Sequence, residues 1–335
     1  MTPRLAWDGG TVGLQPLGAM LDGLVLRLAD GRLVQPLHTA PWADEAWADE
    51  AGADALPGIL RRLRGEWPCV PFGADDPAPW PDRWRVERGA PHGPPHGPPH
   101  GFAANNVWQV WRDENRLCAD IRYPHDHPIA ALSRSVAPCV GGVEMTLVIH
   151  PRRDCRLPVA VHPVFRLPVP AGTALLTPGA HGTIWTHPAQ SPDPCPLRPD
   201  STATSLATLP GRDGGAVDMT HLPLAHASES RILLTHASGR FALDNLAEGY
   251  RAVLEWDSAA FPHLMLWVSN RGRADAPWQG RHLALGVEPC CAAFDLGTAI
   301  SAQDNPLSRS GATTAIPLQA GSPWRTSYRI VVEPL

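Results

Sequence analysis

The sequence has 335 residues, a formal net charge of −5, 44% hydrophobic and 18% charged residues, and all 28 of its Lys+Arg positions are arginine. That balance is globular. The lack of lysine excludes Schiff-base chemistry, pyridoxal-phosphate attachment and a P-loop, and a net acidic chain with no basic cluster beyond residues 61–64 carries no footprint for nucleic acid. No run of about eighteen apolar residues is available to cross a bilayer. The first ten residues lack the apolar stretch of a signal peptide, so a cytoplasmic location is expected. Seven cysteines without CxxC spacing read as buried thiols, neither a disulfide framework nor a zinc site.

Taken in chain order, the elements are almost all strands. Residues 24–28 and 32–34 flank an Asp30-Gly31 turn, and residues 107–111 and 117–123 flank Asp113-Glu114-Asn115, each pair predicting a hairpin. Period-two alternation then predicts strands at 143–150, 157–169, 231–236, 241–244, 252–256, 264–269, 282–288, 313–318 and 324–332. Many strands joined by short turns predict an all-β chain, a large antiparallel β-sandwich built as a single domain over residues 1–335.

Several stretches break the pattern. Residues 41–66, acidic and then basic, read as a solvated surface insert holding a loop or a short helix. Residues 89–101 repeat Pro-His-Gly three times, a His/Pro/Gly-rich loop open to three readings: metal tract, stiff linker or lip of a site. Residues 186–205 are proline-rich and predict irregular structure. His125-Asp126-His127 superficially suggests a metal pair, but prolines flank it as a loop and no third ligand follows.

Two strands share a chemical arrangement. In LPVAVHPVF, Val159 and Val161 take one face while Ala160 and His162 take the other. In HLALGVEPC, Leu283, Leu285 and Val287 oppose Ala284, Gly286 and Glu288. Small residues thus lead up to one titratable group on each strand and leave room beside it for a ligand. A carboxylate and an imidazole so placed can form a base and acid pair. The alternative is a core histidine and a strand-end carboxylate facing water.

PHGFAANNVW (99–108), VHPVFRL (161–167) and GVEP (286–289), with LRGEWPCVPFG (63–73) before them, resemble in order and separation the motifs of the aldose 1-epimerases, or galactose mutarotases. The resemblance implies a galactose mutarotase-like β-supersandwich and a small-molecule sugar as partner, with no cofactor and no metal. It implies Glu288 as general base on the anomeric hydroxyl, His162 as general acid on the ring oxygen and His100 as a sugar contact. Asp218 would match the family's sugar-binding aspartate, or else serve as a turn residue. Trp108, Phe261 and Trp267 offer apolar faces to a pyranose, or else belong to the core. The chain departs from the family's pattern in the stretch 71–76 after the Pro-Phe motif and at Ala104, where arginines are usual, and at Val164, where an aromatic residue is usual. The implied activity is interconversion of α and β anomers; the competing reading is a non-catalytic sugar-binding or regulatory protein on the same fold. The resemblance places His100 at the edge of the cleft and leaves His92 and His96 as spacer.

Overall fold

A computed structural model describes residues 2–45, 56–75, 80–85, 97–189 and 191–335. Two large antiparallel sheets dominate. One has nine strands, ordered His221–Leu222, Ala174–Pro178, Arg240–Asn245, Tyr250–Trp256, Trp324–Pro334, Gly142–Pro151, Ile129–Cys139, Arg116–Arg122 and Gln109–Asp113. The other has eight; its central run is Ser228–Leu234, His263–Asn270, Leu283–Cys291, Val159–Val161 and Pro68–Cys69, with Val164–Arg166 also paired to Leu283–Cys291. Four N-terminal strands, Arg4–Trp7, Gly10–Leu14, Leu21–Arg27 and Leu33–Val34, form a smaller sheet. The large antiparallel sandwich expected from the alternation is therefore present.

The alternation also sorts the faces as expected. Val159, Val161, Leu283, Leu285 and Val287 belong to the main core, together with Leu117, Met145 and Ile330 from the nine-stranded sheet. Ala160 and Ala284 belong to a second apolar cluster on the opposite face of the eight-stranded sheet, with Trp42, Trp67, Phe72 and Trp84. Burying both faces of these strands explains why they tolerate so few polar side chains.

A buried ion pair ties the sheets together. Arg134, on the Ile129–Cys139 strand, donates to Glu66 Oε2 at 2.6 Å, and Tyr328 Oη donates to Glu66 Oε1 at 2.6 Å. Glu66 lies two residues before the Pro68–Cys69 strand, so the network spans from one sheet to the other.

Residues 101–105, where the alternation predicts no element, form a short helix, Gly101–Asn105. Residues 41–66 are not a solvated insert at their described ends: Trp42, Ile59 and Leu63 are buried in the second cluster, Gly58–Arg61 is helical, and Trp42 Nε1 donates to the Leu60 carbonyl at 2.6 Å. Residues 46–55 and the histidines His92 and His96 lie outside the described residues. His125 is exposed while His127 is buried against Tyr123 and accepts from the Ile129 N–H, so the two imidazoles do not share a face.

Candidate active site

The cleft forms where a strand is interrupted. Val159–Val161 and Val164–Arg166 both pair with Leu283–Cys291, and Pro163, which has no N–H to give the ladder, separates them. The His162 N–H donates instead to the Trp67 carbonyl at 2.9 Å, and Val287 N–H donates to the Pro163 carbonyl at 2.8 Å. This break aims His162 at the neighbouring strand, where its Nε2 lies 3.2 Å from Glu288 Oε1. Trp67 stacks on the imidazole with ring centroids 4.2 Å apart, and His100 meets it edge-on at 5.2 Å. A cleft of about 440 Å³ is lined by His100, His162, Glu288, Trp67, Trp267, Arg231, Arg273 and Asp295, with Ile59, Leu60 and Leu63 from the 41–66 segment on its rim.

Each group is held by a different device. His100 sits at φ 63°, and its N–H donates to the Gly73 carbonyl at 2.8 Å. Gly101 follows at φ 81°, where a Cβ would stand 2.3 Å from the Val70 carbonyl oxygen, so only glycine fits beneath the histidine. Asp295 accepts from Arg231 Nη1 at 2.5 Å and lies 3.2 Å from His187 Nε2.

Burial pushes the Glu288 carboxyl well above the usual carboxylate range; the charge of Asp295 adds to the rise and Arg231 opposes it. Burial also drives His162 well below the usual imidazole range, reinforced by His100, and drives His100 down to about 4. Asp295 is likewise disfavoured by burial, but Arg231 and His187 outweigh that and hold it ionised, well below the usual range. Burial thus opposes charge on both members of the pair.

Both Glu288 oxygens, Asp295 Oδ1, His162 Nδ1 and His100 Nδ1 are buried without an aligned hydrogen-bond partner among the described residues. Buried polar atoms are normally paired; Glu288 Oε1 and Asp295 Oδ1 meet only imidazole nitrogens at 3.2 Å, and the open valences left on residues that line one cleft mark a place built for a polar guest. No group of three or more His, Cys, Asp or Glu side chains among the described residues is arranged to hold a metal ion.

The structure brings together His100, His162, Glu288 and Trp267 and leaves three other candidates outside. Asp218 is exposed and accepts from Thr220 N and Oγ1 at 2.7 and 2.5 Å, the turn role that was its alternative. Trp108 is buried, with its indole N–H donating to the Ala103 carbonyl at 2.8 Å, and Phe261 packs against Trp324 in the core. The groups that sequence reasoning missed are Trp67, Arg231, Arg273 and Asp295. Arg231 and Asp295 carried a faint signal, a charged residue set in an apolar run (SESRILL, CCAAFDLG). Arg231 and Arg273 also give the cleft two arginines despite the departures in 71–76 and at Ala104.

The sequence matches no protein-family model and no curated protein, so the likeness that follows is one of structure. A candidate aldose 1-epimerase of Escherichia coli K12 superposes with a TM-score of 0.66 at 16% identity, over 100% of this chain and 99% of that one. A galactose mutarotase-like protein of Lactobacillus casei ATCC 334 gives 0.59 at 14%, over 99% and 100%. One from Clostridium acetobutylicum gives 0.58 at 14%, over 99% and 95%. Shared over essentially the whole length of each chain, this architecture gives the protein the galactose mutarotase-like fold.

Proposed function

We propose that the protein is an aldose 1-epimerase, interconverting the anomers of a free sugar, with Glu288 and His162 as its acid and base pair. The observation that carries this reading is their 3.2 Å approach in a cleft of unpaired polar atoms. Ring opening takes one proton from the sugar and returns one to it, so the pair needs one acceptor and one donor. Sugar hydroxyls filling the open valences, with Arg231 beside them, favour the ionised form, in which Glu288 is the base and His162 the acid.

Glu288 takes the proton of the anomeric hydroxyl. The C1–O5 bond breaks with its electron pair going to the ring oxygen, which receives the proton of His162, and C1 becomes the aldehyde carbonyl. Rotation about C1–C2 presents the other face, and closure runs the same transfers in reverse. Trp67 fixes the plane of the His162 ring, and neutral His100 polarises the sugar by a hydrogen bond. Asp295 keeps Arg231 in place, so the guanidinium contacts the sugar from a fixed position.

Anomer exchange measured by saturation-transfer NMR across hexoses, pentoses and uronic acids tests the proposal. Glu288→Gln should lower the rate at least about a hundredfold, the lower end of what general acid–base catalysis supplies. Exchange at the buffer rate for every sugar, with binding retained, would make the protein a sugar binder and not an enzyme.

A further inference from the structure

A second hollow, with about 720 Å³ of empty space, opens from the first and shares Arg231, Trp267 and Arg273 with it. Its charges do not balance. Four arginines line it, Arg198, Arg212, Arg231 and Arg273, against two acidic residues, Asp193 and Glu229. Glu229 is already engaged by Trp267 Nε1 at 3.0 Å and Ser269 Oγ at 2.8 Å, and burial pushes it up toward its neutral form.

Arg231 is committed to Asp295, but the other three guanidiniums are not saturated. Arg198 and Arg212 are exposed, and their side chains have no hydrogen bond or ion pair among the described residues. Arg273 approaches Asp193 and Glu229 only at 3.6 Å each, while its guanidinium lies over Trp278 at 4.4 Å and Trp267 at 5.4 Å. Burial works against its charge, yet 31% of its side-chain surface stays exposed. A loosely paired guanidinium and two without partners, on residues lining one hollow of a chain of net charge −5, make a local excess of positive charge.

We infer that the substrate is an aldose bearing an anionic group, a carboxylate or a phosphate, at the end remote from its anomeric carbon. With C1 between His162 and Glu288, the ring passes Trp267 and the anion enters the arginine hollow. This rests on the mutarotase reading for the placement of C1. Arg198 and Arg212 supply charge-assisted hydrogen bonds from the open side, and Arg273 supplies them from the inner wall.

Calorimetric binding and NMR anomer exchange, run on the whole protein with glucose, glucuronate and glucose 6-phosphate, test it. The expected result is a preference of at least about tenfold for one anionic sugar over glucose, in Kd and in kcat/KM. That preference should fall about tenfold in Arg198→Ala/Arg212→Ala and shrink as salt is raised. The tighter of the two acids identifies the anion. Equal handling of all three sugars, or a preference unmoved in the double variant, overturns the inference even if exchange is fast. A double-variant-sensitive preference in binding without any exchange upholds the arginine hollow and sinks the mutarotase reading instead.

Discussion

Gly286 lies two residues before Glu288 on the same face of its strand, beside Trp267 of the neighbouring strand. A Cβ there would stand 2.6 Å from Glu288 Oε1 and 3.1 Å from Trp267 Cβ. The nearer obstacle is the free end of a side chain, so Gly286→Ala is accommodated by turning the carboxyl away and not by moving the sheet. The variant should fold with nearly unchanged stability, since alanine also narrows the unfolded ensemble. Its anomer exchange should fall about a hundredfold, the cost of displacing a reacting group by about 1 Å. A melting temperature within a few degrees of the parent, together with that loss of rate, is the expected pair of measurements. Full activity would mean that the Glu288 carboxyl does not need its present position.

Between residue and sheet stand short elements that carry cleft groups, and Asn105 couples two of them. Its Nδ2 donates to the carbonyls of Pro99 and Gly101 at 2.7 and 2.8 Å, and its Oδ1 accepts from Ile59 N–H at 3.2 Å. The helix behind His100 is thereby fastened to the helix that brings Ile59 and Leu60 to the cleft rim. Asn105→Ala leaves these buried groups unpaired and should cost about 2–3 kcal/mol in a urea melt, with KM for sugar rising as His100 loosens. No change in stability would show that the fastening is unimportant. This coupling also marks where sequence reading stops. Strands with clean alternation and turn residues at their ends were legible, as was the small-residue face that leads to Glu288. The Ile129–Cys139 strand was not, because Arg134 occupies one of its inward positions and is neutralised only by Glu66, 68 residues away in sequence. The Gly101–Asn105 helix is too short to show a period of 3.6. Alternation places Trp108 and Trp267 alike on strands, with Phe261 just ahead of the second, and only the assembled faces separate the cleft tryptophan from two core aromatics. Arg231 and Asp295 acquire meaning from each other, across 64 residues of chain.

For the whole molecule, the distribution of imidazoles sets a limit on the acid side. His38, His100, His127 and His263 are held down at about 4, and His162, His187 and His282 are also lowered, in every case with burial as the leading cause. In the unfolded chain these groups titrate near 6.5, so between that value and about 4 the unfolded state binds more protons and stability falls as pH falls. Glu288 and Glu229 act in the opposite sense: raised in the fold, they take up protons there and gain stability on acidification toward 4.5. Seven lowered imidazoles outnumber two raised carboxyls, so the net effect of acidification below about 6.5 is a loss of stability. Denaturant melts at pH 7.5, 6.5 and 5.5 should show stability falling with pH, most steeply over the second step. A flat profile would mean that these imidazoles are not held neutral in the fold, His162 among them.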